Sequence, residues 1–369
     1  MLYQSPLPPE YQGLAVEEMQ SRIAARREEL GPRLVILGHH YQEDEVIAFA
    51  DFTGDSLKLS QIAAAQRECE YVVFCGVHFM AESADILSDE KVQVILPDRS
   101  AGCSMADMAT IEQLEETWEV LTAATAERII PITYVNSAAS IKAFCGRNGG
   151  ACCTSSNAAR VLAWALEQGE KVMFLPDQHL GRNTAYAMGF PVESMALVDP
   201  LQPHAGLTAD EIGAAKFLLW KGHCSVHKLF TPEQCDEIRR QDPECRIIVH
   251  PECTLEVVLN ADASGSTEKI IRTIRESPEG SRWAVGTEVH LVNRLAQEQA
   301  GRRFVRSLAG IQCLCTTMYR IDLPHLLWSL DHLADGSVVN RIRVDAETRR
   351  FSRVALERML NLPALQGVS

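Results

Sequence analysis

The chain alternates short, almost uninterrupted apolar runs with longer stretches in which apolar residues recur at helical spacing. The runs are rich in Val, Ile and Leu, and they begin at Leu34, Tyr71, Val92, Ile129, Lys171, Lys216, Arg246, Arg282 and Phe304. Strands that helices cover on both faces of a parallel sheet have this composition. The pattern therefore predicts an α/β protein built on parallel sheets.

Three further segments have the spacing of amphipathic helices. The segment from Ala15 to Leu30 places charged residues on one face and apolar residues on the other. The segment from Asp322 to Leu333 begins with a residue that can cap a helix and has a proline in its first turn. The tail from Glu347 to Leu362 has the same two-faced pattern, so helices are predicted at all three places.

The nine apolar runs form three sets of three. In each set the first two runs lie roughly 40 residues apart, about the length of a βαβ crossover, and both end in polar clusters. The third run of each set leads to a cysteine, which is Cys103, Cys224 or Cys315. Ligands of open α/β sheets bind beyond the carboxyl ends of the strands. We expect three similar units, residues 1–115, 116–235 and 236–330, that face a central cavity, with a C-terminal helical extension, residues 331–369, packed on them.

Charge and composition limit the classes of binding partner that the chain can have. The sequence has 369 residues, and 49 acidic against 35 basic residues give a formal net charge of -14. Without a concentrated basic stripe, this charge argues against a nucleic-acid partner. The N-terminus lacks the pattern of a secretory signal, and no apolar run approaches the roughly 20 residues of a membrane span. We therefore expect a cytoplasmic protein without a membrane partner, whose twelve cysteines serve as metal ligands, redox thiols or core residues.

Cys103, Cys224 and Cys315 each follow a predicted strand and precede small or polar residues. They are either ordinary thiols or shared ligands of one metal centre, and the compact C-x2-C pairs of zinc fingers and ferredoxins are absent. Three thiolates on a four-iron cluster would leave one iron open as a Lewis acid. Cys313 and Cys315 form a C-x-C pair, so either can be the ligand, or the two can form a redox-sensitive pair.

Cys145, Cys152 and Cys153 occupy a glycine-rich segment that we predict as a loop. A local metal or redox site is one interpretation of these three thiols.

Polar side chains recur at the predicted strand ends. They are His39, Tyr41, Tyr134, Asn136, His179, His227, His250 and Glu252. A single histidine at a strand end is more often structural than catalytic, but this recurrence favours a site. Glu252 beside His250 forms a possible acid/base pair, tyrosines can exchange protons with enol oxygens, and Asn136 can hold a carboxylate or carbonyl.

Small hydroxyl residues precede three helical patterns, in GDS at 54–56, CTSSN at 153–157 and GST at 265–267. Each can simply cap its helix. Helix starts also bind phosphate and carboxylate groups, so together they favour an anionic substrate.

The segments GHHYQ, GDSLKL, GVHFMAE, CSMADM, YVNS, TSSN, PDQHLGR, GHCSVH, VHPEC, GSTE, GTEVHL and CTTMYRIDL, in this order from about Leu34 to Leu333, resemble the quinolinate synthase A family. The resemblance implies three αβα sandwich units around a pseudo-threefold axis. It also implies the condensation of iminoaspartate with dihydroxyacetone phosphate to quinolinate, phosphate and water in NAD biosynthesis. A [4Fe-4S] cluster with three cysteine ligands and a functional link to L-aspartate oxidase belong to the same expectation.

The resemblance also assigns residues. It implies Cys103, Cys224 and Cys315 as the cluster ligands, and CTTM selects Cys315 over Cys313. The implied catalytic residues are Tyr41, Tyr134, His227, His250 and Glu252. The implied substrate contacts are His39, Ser56, Tyr134, Asn136, Ser155, His250, Glu252, Ser266 and Thr267. Two alternatives stay open at this point, a hydro-lyase of the aconitase type and a non-enzymatic iron-sulfur or zinc sensor.

Overall fold

The computed structural model describes residues 3–66, 68–309 and 313–363. In these ranges the strands form three sheets, with helices between successive strands. Every strand pair is parallel except one at the edge of the first sheet. The prediction of an α/β protein with parallel sheets is confirmed.

The strands are β1 (Leu34–His39), β2 (Phe52–Gly54), β3 (Tyr71–Cys75), β4 (Gln93–Ile95), β5 (Ile129–Tyr134), β6 (Ala151–Cys153), β7 (Lys171–Leu175), β8 (Met195–Val198), β9 (Phe217–Trp220), β10 (Arg246–Val249), β11 (Ala263–Ser264), β12 (Arg282–Gly286), β13 (Phe304–Ser307) and β14 (Arg341–Ile342). The helices are α1 (Pro9–Gln12), α2 (Val16–Leu30), α3 (Asp44–Ile47), α4 (Ser56–Ala65), α5 (His78–Leu87), α6 (Ile111–Ala124), α7 (Ala139–Arg147), α8 (Ala158–Gln168), α9 (Gln178–Ala187), α10 (Ala209–Ala214), α11 (Pro232–Gln241), α12 (Leu255–Asn260), α13 (Thr267–Glu276), α14 (Val289–Gln299), α15 (Leu323–Ala334) and α16 (Ala346–Asn361).

The three sheets repeat one strand order. It runs β2-β1-β3-β4 in the first sheet, β6-β5-β7-β9 in the second and β11-β10-β12-β13 in the third. The first and second sheets carry one further edge strand each, β14 beside β4 and β8 beside β9. The order reverses between the first and second apolar runs of each set, and such switch points are where open α/β sheets bind ligands.

All nine predicted runs contain a strand, but five strands were not predicted. β2, β6, β8, β11 and β14 have two to four residues, which is too short for a period to stand out. The last predicted run continues from β13 into residues 310–312, which lie outside the described residues.

The chain divides into two compact units. The first contains the described residues up to Cys103 and those from Leu314 to Asp345, and the second contains Ser104 to Cys313 and the described residues from Ala346 onward. The first unit holds the first sheet, and the second unit holds the second and third sheets.

In the first unit, α2 packs against α15. Arg22 Nη2 and Arg26 Nε donate to the carboxylate of Asp331 at 2.6 and 2.7 Å, which joins the two helices. Asp322 caps α15 by accepting from the backbone N–H of His325 at 3.0 Å. The helices predicted over Ala15–Leu30 and Asp322–Leu333 are thus confirmed, within one residue at each end.

In the second unit, α16 packs closely on α7. A Cβ atom on Gly146 would lie 2.0 Å from the carbonyl oxygen of Phe351, so only glycine permits this approach. The predicted tail helix is confirmed as α16. The loop predicted around Cys145, Cys152 and Cys153 is wrong, because Cys145 lies in α7 and the other two in β6, all fully buried. Gly146 and Gly150 permit close backbone packing, whereas Gly149, with a φ of +77°, forms the turn between α7 and β6.

Among the described residues, no helix combines the length and the apolar character that crossing a membrane requires.

Candidate active site

The three cysteines that follow the third apolar run of each set share a local structure. Cys103, Cys224 and Cys315 are half-buried, whereas the other nine cysteines, which also lie in the described ranges, are buried. Three residues after each begins a single turn of 3₁₀ helix, at Ala106–Met108, His227–Leu229 and Met318–Arg320. A metal ligand has to be reachable as a thiolate, and these three thiols are the more accessible ones.

In the first unit, a polar network connects the segments beside two of these cysteines. Arg320, five residues after Cys315, donates through Nε to Asp98 Oδ2 at 3.1 Å and to Ser100 Oγ at 2.6 Å. Ser100 in turn donates its backbone N–H and its hydroxyl to Asp98 Oδ1 at 2.7 and 2.6 Å. Because Asp98 is buried, this charged network fixes the segment that leads to Cys103 against the one that follows Cys315.

In the second unit, the segment that begins at Ser104 packs on the end of β9. Trp220 Nε1 donates to the carbonyl oxygen of Met108 at 2.7 Å. The hydroxyls of Ser104 and Ser225 lie 3.3 Å apart, within hydrogen-bond distance, and Ser225 directly follows Cys224. The Cys224 loop is therefore held from two sides.

A buried cluster of Glu252, His227, His250 and Tyr134 lies at the carboxyl ends of the second and third sheets. His227 Nδ1 lies 2.7 Å from Glu252 Oε2, and His250 Nδ1 lies 3.8 Å from the same oxygen. Tyr134 also hydrogen-bonds to Glu252. The two imidazole rings stack with centroids 4.4 Å apart and planes at 22°.

The local hydrogen bonds set the proton positions on His250. The backbone N–H of Glu252 donates to His250 Nδ1 at 3.4 Å, so the ring proton of neutral His250 is on Nε2. Burial lowers the pKa of His250 to about 3, and the ring is neutral at physiological pH. The same contact recurs in the first unit, where the backbone N–H of Tyr41 donates to His39 Nδ1 at 3.1 Å.

The pKa values of two carboxyl groups in the second unit are shifted in opposite directions. Burial alone would raise the pKa of Glu252, but His250, His227 and hydrogen bonds from His227 and Tyr134 hold it below its usual range. Burial and the nearby Glu252 raise the pKa of Asp177 well above its usual range. Paired groups with opposite shifts are typical of sites that move protons.

Asp177 is completely buried. Its Oδ1 caps α9 by accepting from the backbone N–H groups of His179 and Leu180 at 2.7 and 3.4 Å. Its Oδ2 has no hydrogen-bond partner among the described residues. A protonated Oδ2 could donate to a ligand at this point.

Thr287 supports the far side of His227. Its Oγ1 lies 3.1 Å from His227 Nε2, and Thr287 is fully buried. A hydroxyl can donate to a neutral imidazole and accept from a protonated one. The Thr287 hydroxyl can therefore serve this contact either as donor or as acceptor.

Cys224 completes the cluster as a possible metal-binding group. One ligand atom each from Cys224, His227 and Glu252 lie within 4.8 Å of one another. Thiolate, imidazole and carboxylate are ligands that transition metals accept.

Comparison with known proteins gives the family. The family described as Quinolinate synthetase A protein matches residues 21–361. The quinolinate synthase of Acidobacterium capsulatum is 56% identical over 356 residues, which is 95% of both chains. Those of Anoxybacillus flavithermus and Streptomyces coelicolor are also 56% identical, and they cover 96% and 94% of this chain and 96% and 89% of their own.

The chain belongs to the quinolinate synthetase A family. In this family member, the structure brings four of the predicted catalytic residues into one cluster, which are Tyr134, His227, His250 and Glu252. The fifth, Tyr41, lies in the first unit, where its ring contacts that of His39 edge-on with centroids 4.7 Å apart.

The predicted substrate contacts outside this cluster lie at strand ends and helix starts. Asn136 is half-buried just after β5, and its Oδ1 has no partner in the described ranges. Ser56 is the first residue of α4, Ser266 caps α13, and Thr267 is the first residue of α13. Ser155 lies two residues before Asn157, the cap of α8.

Three residues that the sequence analysis did not select lie next to this cluster or hydrogen-bond to it or its flanking backbone. Asp177 and Thr287 follow β7 and β12, which come from the second apolar runs of their sets, inside the segments PDQHLGR and GTEVHL. Their position in a repeated polar cluster was the available signal. Asn183 lies within α9, where no sequence signal marks it.

Proposed function

We propose that this chain condenses iminoaspartate with dihydroxyacetone phosphate to give quinolinate, phosphate and water, as a step of de novo NAD biosynthesis. Quinolinate synthesis follows from membership of the quinolinate synthetase A family and from relatives that are 56% identical over nearly the whole chain. The observation that carries the residue assignment is the buried contact of 2.7 Å between His227 and Glu252, beside Cys224.

The proposed cofactor is a [4Fe-4S] cluster held by Cys103, Cys224 and Cys315. These are the half-buried thiols of the chain, and each precedes an identical turn, which supports one shared role. Cys313 fits less well, because it is fully buried and burial, with Glu288 nearby, raises the pKa of its thiol to about 11. When bound, such a cluster supplies one iron without a protein ligand, a Lewis acid that helps a hydroxyl group leave as water.

Proton transfer is assigned to the cluster around Glu252. Glu252 is ionised and accepts a proton from the substrate carbon or hydroxyl that reacts, and His227 stabilises the carboxylate. Tyr134 donates to Glu252 and can exchange a proton with an enol oxygen, and Tyr41 has the same assigned role in the first unit. Neutral His250 keeps its Nε2–H as a hydrogen-bond donor for a substrate oxygen.

Substrate anions are assigned to the polar strand ends and helix starts. Backbone N–H groups at the start of α4 and α13 are suited to carboxylate and phosphate oxygens. The assigned side chains are His39, Ser56, Asn136, Ser155, Ser266 and Thr267. Because these side chains are uncharged, the electrostatic attraction for the substrate anions comes from the backbone dipoles and from nearby cations.

The arrangement that this assignment requires is a central active-site cavity between three αβα units related by a pseudo-threefold axis, with the boundaries and the C-terminal extension predicted above. The common strand order of the three sheets supports it. We further propose a cytoplasmic location, where the thiols stay reduced, and a supply of the unstable imine by L-aspartate oxidase.

One anaerobic experiment tests the proposal. The purified full chain is reconstituted with iron and sulfide, its iron and sulfide content and visible spectrum are recorded, and quinolinate is measured from dihydroxyacetone phosphate and enzymatically generated iminoaspartate. Cys224→Ser is expected to lose the cluster and the activity, whereas Cys235→Ala, at a fully buried position in α11, keeps both. An intact cluster with full quinolinate production in Cys224→Ser would refute the ligand assignment.

A specific observation favours one alternative, a zinc site. Cys224, His227 and Glu252 alone can offer three ligands to one ion, and zinc accepts this combination. Metal analysis of the aerobically purified protein distinguishes the zinc site from the iron-sulfur cluster, because a zinc site would retain one zinc per chain after Cys103→Ser and Cys315→Ser.

A further inference from the structure

In the first unit, the turn that leads to Cys103 contains a buried carboxylate. The side chain of Asp98, which precedes this cysteine in the turn, is only 2% exposed. The backbone N–H of Ala101 donates to the carbonyl oxygen of Asp98 at 3.1 Å. The N–H of Gly102 donates to the carbonyl oxygen of Ser100 at 2.8 Å. Because these two hydrogen bonds make the turn tight, a shift of Asp98 moves Cys103 with it.

Arg320 contacts this carboxylate from the segment that follows the second proposed ligand of the unit. It is the last residue of a 3₁₀ turn in which the N–H of Met318 donates to the carbonyl oxygen of Cys315 at 3.0 Å. Its Nε donates to Asp98 Oδ2 at 3.1 Å and to Ser100 Oγ at 2.6 Å. A charged hydrogen bond therefore joins the two segments that carry the thiols, and such bonds are stronger than those between neutral groups.

The charged contact is not part of the repeated turn. The three 3₁₀ turns that follow the proposed ligands end at Met108, Leu229 and Arg320. All three turns form, although two of them end in an uncharged residue, so the turn does not need a charge at this position. Arg320 therefore has a role other than the formation of its own turn.

The buried charge of Asp98 depends on Arg320 for compensation. A second basic group, His325, has its Nε2 at 3.9 Å from Asp98 Oδ2, which is beyond hydrogen-bond distance. The Nδ1 atom of His325 lies 2.7 Å from Asp322 Oδ1, so this ring is held by a different carboxylate. A buried charge that loses its hydrogen-bonded partner is strongly destabilised. Removal of the Arg320 guanidinium should therefore displace the turn that contains Asp98.

We infer that Asp98 and Arg320 are a positioning pair for the proposed iron-sulfur cluster. The pair fixes the segments of Cys103 and Cys315 against each other, so that both thiols are in place for one cluster. The inference rests on the proposed function, which assigns these two thiols as ligands. Residues that orient metal ligands without touching the metal typically change metal affinity about 10- to 100-fold when they are replaced. Without the pair both thiols remain, but the cluster is held less tightly.

The rate of cluster loss tests the inference. The full chain is purified and reconstituted anaerobically, a ferrous-iron chelator is added, and the decay of the visible absorbance is recorded. Arg320→Met and Asp98→Asn are each expected to speed the loss about tenfold or more. In Asp98→Asn/Arg320→Met the two effects should not add, because both changes break the same contact. Arg320→Lys keeps a charged donor and should lose the cluster more slowly than Arg320→Met.

Asp331→Asn is the matched control for Asp98→Asn. Asp331 is also a buried aspartate of the first unit, with a side chain that is 7% exposed and that accepts from Arg22 and Arg26 at 2.6 and 2.7 Å. These contacts join α2 to α15 and involve neither segment that carries a proposed ligand. Asp331→Asn should lower the Tm of the apoprotein at least as much as Asp98→Asn does, but it should leave the rate of cluster loss as in wild type.

Wild-type rates of cluster loss in Arg320→Met and Asp98→Asn, or an equal acceleration in Asp331→Asn, would overturn the inference. The two proposals fail separately. If Arg320→Met loses its cluster faster but the wild type makes no quinolinate, the function alone is refuted. If the wild type makes quinolinate and both variants retain the cluster as it does, the positioning pair alone is refuted. A wild type that takes up no cluster would overturn both.

Discussion

Asn183 offers a direct test of how the active site is positioned, because its amide holds both sides of Glu252. Asn183→Leu keeps a similar size and removes the hydrogen bonds to the carbonyls of Pro251 and Cys253, both 2.8 Å long. A hydrogen bond contributes about 0.5–1.5 kcal/mol net, and a buried carbonyl left unsatisfied costs about 1–3 kcal/mol. Cys253 is fully buried and Pro251 only half-buried, so the local cost should be about 2–3 kcal/mol.

Amide hydrogen exchange in a peptide that covers residues 252–258 measures this cost. The N–H of Cys253, which donates to the carbonyl oxygen of His250 at 3.0 Å, is among the protected amides. A loss of 2–3 kcal/mol should speed its exchange roughly 30- to 150-fold. Displacement of Glu252 should also lower kcat about 10- to 100-fold.

Asn260→Leu is the matched control, because Asn260 Nδ2 makes one exposed hydrogen bond to the carbonyl oxygen of Glu256, at 3.0 Å. It should change local stability by less than about 0.5 kcal/mol and leave kcat unchanged. Wild-type exchange in Asn183→Leu would refute the reasoning. If kcat then still fell, Asn183 would act through contact with the substrate and not by holding Glu252.

Three further predictions address the rest of the site. Thr287→Val keeps the shape of a fully buried residue but removes the hydrogen bond to His227 Nε2. We expect kcat to fall about tenfold while the iron content stays unchanged, and a wild-type kcat would contradict the role of Thr287. Cys315→Ser should lose iron and visible absorbance whereas Cys313→Ala keeps them, and the reverse result would exchange the two assignments. Burial, with Arg182, His223 and Lys228 nearby, lowers the pKa of His179 to about 4, while Glu256 acts in the opposite direction. Between pH 6.5 and 4, His179 is therefore neutral in the folded protein and protonated in the unfolded protein. Stability should therefore fall as pH drops from 6.5 to 4, and His179→Gln should lose about 1–2 kcal/mol less than wild type between pH 7 and 5 in thermal unfolding; parallel curves would show that His179 does not contribute.

The internal repeat could be predicted because the same polar and cysteine positions recur after successive apolar runs. The structure confirms three parallel sheets with one strand order, and it adds a repeated detail, the 3₁₀ turn that begins three residues after each predicted ligand. The failure at Cys145, Cys152 and Cys153 has a clear cause. Glycine permits both turns and close helix packing, and sequence alone does not separate the two.

The sequence by itself determined the α/β class, the helices at both ends of the chain, and the strand-end residues from which the site is built. These depend on local periodicity and on the order of elements, which the sequence carries directly. Only the tertiary structure decided which strand ends meet. It brought His227 against Glu252, placed Asp177 beside Glu252 with no partner for Oδ2 in the part of the chain that the structure describes, and placed Thr287 and Asn183 as supports. These contacts join residues tens of positions apart, and their pKa shifts depend on burial and neighbouring charge, which arise only when the sheets pack together.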